Sequence, residues 1–116
     1  FSRNTKVLVL GFTFKENCSD IRNTRVIDLF YGLKEYSLDI DILDHLADKN
    51  EVQKIYNLDI FNQIPDNSSY DVIVLAVAHK LFIKPVKFNF YKYLGENGVI
   101  IDLKFSLPNM KNLVRF

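Results

Sequence analysis

Residues 71–78 read DVIVLAVA, a nearly continuous apolar run of strand length. A surface strand would alternate apolar and polar residues. A run apolar at every position suits a strand covered on both faces, as the central strands of parallel sheets are. Two further segments have the same character, residues 6–10 (KVLVL) and 99–102 (VIID). Residues 38–43 (LDIDIL) alternate apolar and acidic side chains, the pattern of a half-buried strand. Helical spacings lie between these runs. Val26, Ile27, Leu29, Phe30 and Leu33 follow the i, i+1, i+3, i+4, i+7 pattern of one helix face. Asn23 or Thr24 is placed to cap that helix, and Lys34 falls in its last turn, at the negative end of the dipole. Residues 48–56 predict a second, shorter helix. Residues 82–94 predict a third, in which Pro85 fits only in the first turn. Residues 58–64 read equally as a short strand or a turn of helix. Residues 65–69 read as a loop, 95–98 as a turn, and 103–116 as a tail that opens with a helical turn. Strands alternating with helices predict an α/β fold. The expected form is a three-layer Rossmann-like domain with a mainly parallel sheet and helices on both faces.

With 116 residues the chain has room for a single domain, 1–116. Its 48% apolar and 25% charged residues are globular values. Ten Phe and six Tyr, with no Trp, are expected to carry much of the core volume. A net charge of +1 gives no case for nucleic acid or an anionic membrane surface as a partner. The single Cys18 excludes an internal disulfide and fits a reducing compartment such as the cytoplasm. No apolar run approaches the roughly 18 residues of a membrane span, and no signal peptide opens the chain. The chain starts at Phe1 and not at Met, which suggests a piece of a longer protein.

Open α/β sheets bind ligands at the carboxyl ends of their strands. Here four loops share that edge: residues 11–25, 44–50, 79–82 and 102–105. The first is dense in charge, with Lys15, Glu16, Asp20 and Arg22. It is no dinucleotide fingerprint, which needs three glycines for close approach to a pyrophosphate. GFTFKE offers one glycine and places Phe12 and Phe14 where bulk obstructs. Lys15 and Arg22 are of the right type to hold a phosphate, Arg bidentately. The plainer reading pairs Lys15 with Glu16 or Asp20 on a solvated loop, worth about 0–1 kcal/mol. Cys18 has no base near it in sequence and reads as structural. His79 ends the most buried strand, where it either meets a ligand or serves the structure, capping the following helix or tying down a loop. Asp44 stands where dinucleotide folds place a ribose-binding acid, but without the glycines a solvated strand-end carboxylate is the simpler reading. Lys104, beside Asp102, is placed to reach a phosphate or a base edge. No His/Cys cluster has metal-ligand spacing, and no serine elbow is present.

Three of these segments together resemble a known family. GFTFKENCSDIRNTRVIDL is similar to the opening of the C-terminal domain of UDP-glucose/GDP-mannose dehydrogenases: glycine-hydrophobe-x-Phe-Lys, then an acid and an arginine, then a helix. DVIVLAVAHKLF resembles the later strand of that domain with its His-x-x-Phe ending, and VIIDLKF its last strand, ending Asp-x-Arg or Asp-x-Lys. The motifs keep family order from Lys6 to about Phe105. The Phe-Lys-Glu-Asn-Cys form looks most like bacterial enzymes that oxidise UDP-N-acetylhexosamines for capsule or O-antigen sugars. One departure is Asp44-His45, where many relatives have Asp-Pro.

The resemblance implies a longer enzyme. An N-terminal Rossmann domain would hold NAD, central helices would make a homodimer or larger assembly, and this domain would bind the UDP of a UDP-sugar. The C6 alcohol would be oxidised to a carboxylate through a thiohemiacetal on a cysteine that is not Cys18. Lys15 matches the family lysine that reaches substrate, and Lys104 the Arg or Lys at the nucleotide end. Arg22 matches an arginine expected to anchor the same loop. Phe12 or Phe14 is expected to wall the base. By itself the piece is expected to be inactive, without a catalytic residue or NAD site, and to bind UDP weakly. The competing reading is a non-catalytic Rossmann-like regulatory or protein-interaction module. A receiver-like version would need an acid ending the central strand, where this chain has Ala78-His79.

Overall fold

The structure is a computed structural model and describes residues 4–36, 38–65, 67–84 and 88–115. Five parallel strands form one sheet in the order β2-β1-β3-β4-β5. These are β1 (Lys6–Leu10), β2 (Asp39–Leu43), β3 (Tyr70–Leu75), β4 (Leu94–Asp102) and β5 (Leu113–Val114). The helices are α1 (Val26–Lys34), α2 (Lys49–Tyr56), α3 (Lys80–Ile83) and α4 (Phe90–Tyr93).

The apolar runs sit where their composition requires. In β1, Val7 and Val9 face one layer while Leu8 and Leu10 face the other, and all four are buried. The first layer joins them to Ile40, Ile42, Val72 and Val74 and is closed by α1 and α2. The second joins Ile73, Leu75 and Ile100 to Phe82, Phe88 and Phe90, the last two rings meeting edge to face at 5.0 Å. Helices therefore cover both faces of a parallel sheet, as expected, and the aromatic residues supply much of the second layer.

Several boundaries move for physical reasons. The strand expected over 71–78 starts at Tyr70 and stops at Leu75. The chain then bends, and both Ala76 N–H and Val77 N–H donate to the Leu10 carbonyl. That bend crosses Gly11, whose φ is +98°. A Cβ there would lie 2.5 Å from Val77 Cβ, so the glycine permits two strand ends to touch. The single helix expected over 82–94 is two four-residue helices, α3 and α4. Lys84 is extended (φ −105°, ψ 107°), the conformation imposed on a residue before proline. Pro85 itself lies outside the described residues. The stretch 58–64 makes only an isolated parallel bridge, Phe61 to Leu43. The 95–98 turn falls within β4, where the register with β3 shifts and Asn97 takes φ +64°. The tail adds the fifth strand, which the sequence reading did not include.

α1 begins at Val26 with Arg25 at its N-cap, so neither Asn23 nor Thr24 holds that position. The Thr24 hydroxyl still accepts from Val26 N–H at 3.1 Å. α2 is capped by Asp48, whose carboxylate accepts from Asn50 and Glu51 N–H at 2.9 and 3.3 Å.

Candidate functional site

In a sheet ordered 2-1-3-4-5, the connections leaving β1 and β3 diverge, and a crevice opens between their carboxyl ends. A hollow of about 160 Å³ lies there. Thr13, Phe14, Lys15 and Glu16 line it from the loop after β1, and Ala76 and Val77 from the end of β3. Arg25 and Val26 line it from the start of α1, and Lys104 from the loop after β4. Lys15 and Lys104, some ninety residues apart in sequence, thus face one space. Neither they nor Arg25 form an ion pair among the described residues. Three cations and one carboxylate, with the amino end of α1, make the hollow attractive to an anion.

Arg22 is not part of that lining. Its guanidinium grips Asp20 bidentately, Nε to Oδ1 at 2.9 Å and Nη2 to Oδ2 at 3.0 Å. That contact holds the Asp20 carboxyl down at about 2. The Asp20 carbonyl in turn accepts from Phe14 N–H at 2.7 Å. Arg22 therefore braces the loop one residue from Lys15. The pairing expected for Lys15 with Glu16 or Asp20 does not form, since Asp20 belongs to Arg22. Of the two candidate walls, Phe12 is fully buried and packs edge to face on Tyr56 at 5.4 Å. Phe14 is 55% exposed and lines the hollow.

Asp44 is neither a ribose-binding acid nor a solvated carboxylate. It is fully buried, and its oxygens fold two loops. Oδ2 accepts from Phe12 N–H (2.7 Å), Thr13 N–H (3.2 Å) and His79 Nε2 (2.9 Å). Oδ1 accepts from Leu46 and Ala47 N–H at 2.8 and 3.0 Å. Burial pushes this carboxyl up, but the hydrogen bond from His79 and those from the Phe12 and Leu46 backbone outweigh it, leaving it below the usual carboxylate range. His79 is also fully buried and ties down a loop, the second of its two sequence readings. His45 sets its ring edge-on to His79 at 5.3 Å, and burial lowers its pKa. Asp102 repeats the Asp44 pattern, buried and accepting from Lys104 N–H (3.0 Å) and Leu107 N–H (2.9 Å). Cys18 is a free, half-buried thiol whose Sγ accepts from Asp20 N–H at 3.4 Å. Among the described residues no group of three or more His, Cys, Asp or Glu could hold a metal ion, and no helix is long and apolar enough to cross a membrane.

Sequence reasoning missed Arg25, because an arginine opening a helix looks like any surface arginine. Its one signal is position, at the start of the helix that leaves the first strand.

A five-stranded parallel α/β sheet with cations gathered at its topological switch point defines a class, the Rossmann-like domains. Within that class the chain belongs to the UDP-glucose/GDP-mannose dehydrogenase family, whose UDP binding domain model matches residues 8–109. It is 40% identical over 111 residues to the UDP-N-acetyl-D-glucosamine 6-dehydrogenase of Salmonella typhi, covering 96% of this chain and 26% of that protein. It is 41% identical over 98 residues to Protein CapL of Staphylococcus aureus, covering 84% of this chain and 23% of that one. It is 36% identical over 110 residues to the UDP-N-acetyl-D-glucosamine 6-dehydrogenase of Pseudomonas aeruginosa, covering 95% and 26%. The chain thus spans about a quarter of the length of these relatives. A GDP-mannose dehydrogenase from Pseudomonas aeruginosa, solved as a ternary complex, superposes with a TM-score of 0.70 over 97% of this chain and 28% of that one, at 21% identity. That likeness concerns the fold alone.

Proposed function

We propose that this chain binds the UDP moiety of a nucleotide sugar at the carboxyl edge of its sheet. It would do so as one domain of an NAD-dependent nucleotide-sugar 6-dehydrogenase. The observation that carries this reading is the shared hollow at the switch point, where Lys15, Arg25 and Lys104 converge without ion-pair partners among the described residues. A diphosphate requires cations and free N–H groups, and a uracil requires a flat wall. Lys15, Arg25, Lys104 and the amino end of α1 supply the first, and Phe14 the second. Arg22 serves the site by bracing its loop. The hollow is smaller than the roughly 300–1,000 Å³ of complete ligand pockets. It therefore suits part of a nucleotide sugar, with the rest held by other polypeptide.

The parent reaction would convert the C6 alcohol of a UDP-hexose or UDP-N-acetylhexosamine to a uronic acid for surface polysaccharide. The two-step oxidation removes four electrons, which NAD would accept as two hydrides. The residues here do not fit NAD. The loop after β1 has one glycine, packed against Val77, and lacks the three-glycine pattern of a dinucleotide fingerprint. The catalytic cysteine, the cofactor site and the subunit contacts of a cytoplasmic dimer or larger assembly are assigned to other parts of the enzyme.

Titrating the ¹⁵N-labelled chain with millimolar UDP or UDP-sugar tests the reading. Amide shifts are expected at Thr13–Glu16, Arg25 and Lys104, shrinking as salt is added. Lys15→Ala or Lys104→Ala is expected to weaken binding by about fivefold, near 1 kcal/mol for one solvent-exposed charge-assisted contact. Spectra unmoved at those residues would overturn the assignment.

A further inference from the structure

His79 lies outside the hollow, yet its bonds flank the residue that points into it. On one side of Lys15, Thr13 Oγ1 lies 3.2 Å from His79 Nε2 and 3.0 Å from the Lys15 carbonyl oxygen. On the other side, Asn17 N–H donates to His79 Nδ1 at 2.9 Å. Asn17 takes φ +58°, and its side-chain oxygen accepts from Lys80 N–H at 2.8 Å, fastening the turn to the start of α3. Lys15 is thus the centre of a five-residue span whose two ends converge on one buried imidazole.

The bonds also settle where the ring proton sits. Asn17 N–H can only donate, so Nδ1 carries a bare lone pair. The Lys15 carbonyl can only accept, so the Thr13 hydroxyl gives it its proton and presents an oxygen to Nε2. Asp44 Oδ2, also an acceptor, faces Nε2 at 2.9 Å. One tautomer meets all of these conditions, the neutral ring protonated on Nε2. An apolar side chain would occupy the space and make none of the bonds. A buried acid–imidazole pair is in general no more stabilising than apolar packing, so stability alone does not account for it.

We propose that His79, held in its Nε2–H tautomer by Asp44, is the positioning residue for Lys15. It fixes the backbone from Thr13 to Asn17 so that the ammonium meets the diphosphate without a backbone-ordering penalty at binding. The proposal rests on the diphosphate reading of the hollow, and its test separates the two.

The test is a double-mutant cycle on UDP affinity, with His79→Phe and Lys15→Ala measured singly and together at a temperature where every variant is folded by circular dichroism. His79→Phe is expected to weaken UDP about fivefold, the size of the contact it disrupts, and to add nothing in the Lys15→Ala background. His79→Gln, whose amide keeps one donor and one acceptor, is expected to recover most of the affinity. Losses that multiply in the double variant, or a His79→Phe chain that binds like wild type, would overturn the proposal. If His79→Phe does not fold, His79→Leu, which also makes none of the bonds, carries the cycle with the same criteria. Should the wild-type chain fail to bind UDP, the diphosphate reading falls and the positioning claim is decided without ligand. ¹⁵N relaxation of the 14–17 amides is then expected to show a rigid loop in wild type and a mobile one in the His79 variant. Equal rigidity in both would sink it. Long-range ¹⁵N spectra of the ring must also show Nδ1 unprotonated near neutral pH, and a protonated Nδ1 counts against the proposal.

Discussion

Gly11 is the tightest point of the chain. Its φ of +98° is foreign to side-chain-bearing residues, and its missing Cβ is the space in which Val77 sits. Gly11→Ala combines a backbone penalty of about 1–2 kcal/mol with overpacking of about 1–3 kcal/mol. A loss of about 2–5 kcal/mol is expected in urea unfolding, with an unchanged slope. Asp44 carries the pH dependence. Its folded pKa is depressed, so the folded state keeps the charge to lower pH than the unfolded chain does. The stability it contributes is full above the ordinary value of 3.8 and is lost as pH falls through the folded pKa. Thermal melts are therefore expected to fall steeply below about pH 4, and Asp44→Asn should melt lower at pH 7 with a shallower acid limb. That Lys15 and Lys104 would face one space was legible in the sequence, because the loops that follow parallel strands gather at one edge of the sheet. The structural role of Asp44 was not, since a strand-end acid reads alike whether solvated or buried. Its partner His79 stands thirty-five residues away.

At the scale of elements, what could be read were long apolar runs and helical periodicity, and β1, β2, α1 and α2 all form close to the expected bounds. What could not be read was governed by single contacts between distant segments. β3 stops at Leu75 because the chain must cross Gly11. β5 is two residues long, too short for any pattern. Its flanking Arg115 lies 3.6 Å from the buried Asp102 carboxylate, which helps to hold the tail against the sheet. The two best-defined helices start differently, and this difference is measurable. α2 depends on the Asp48 side chain, so Asp48→Ala should cost about 1 kcal/mol in chemical denaturation. α1 has no side-chain acceptor at its N-cap, so Arg25→Ala should leave stability within about 0.5 kcal/mol while weakening UDP binding.

For the molecule as a whole, the strand order sets where a ligand can lie, and occupancy should in turn stabilise the fold. A ligand bound only by the folded chain adds RT ln(1 + [L]/Kd), about 1.4 kcal/mol at ten times Kd. Melting temperature is therefore expected to rise with UDP, less so in high salt, and far less in the Lys15→Ala/Lys104→Ala double variant. Binding loops commonly open by local fluctuation, well below the energy of global unfolding. Here the loop after β1 hangs its backbone on a carboxylate just past β2 and an imidazole at the start of α3, both inside the core. Peeling it away would strand a charge in the interior. The ligand-facing edge and the centre of this protein are thus one cooperative unit, and heat should abolish recognition and architecture in a single transition.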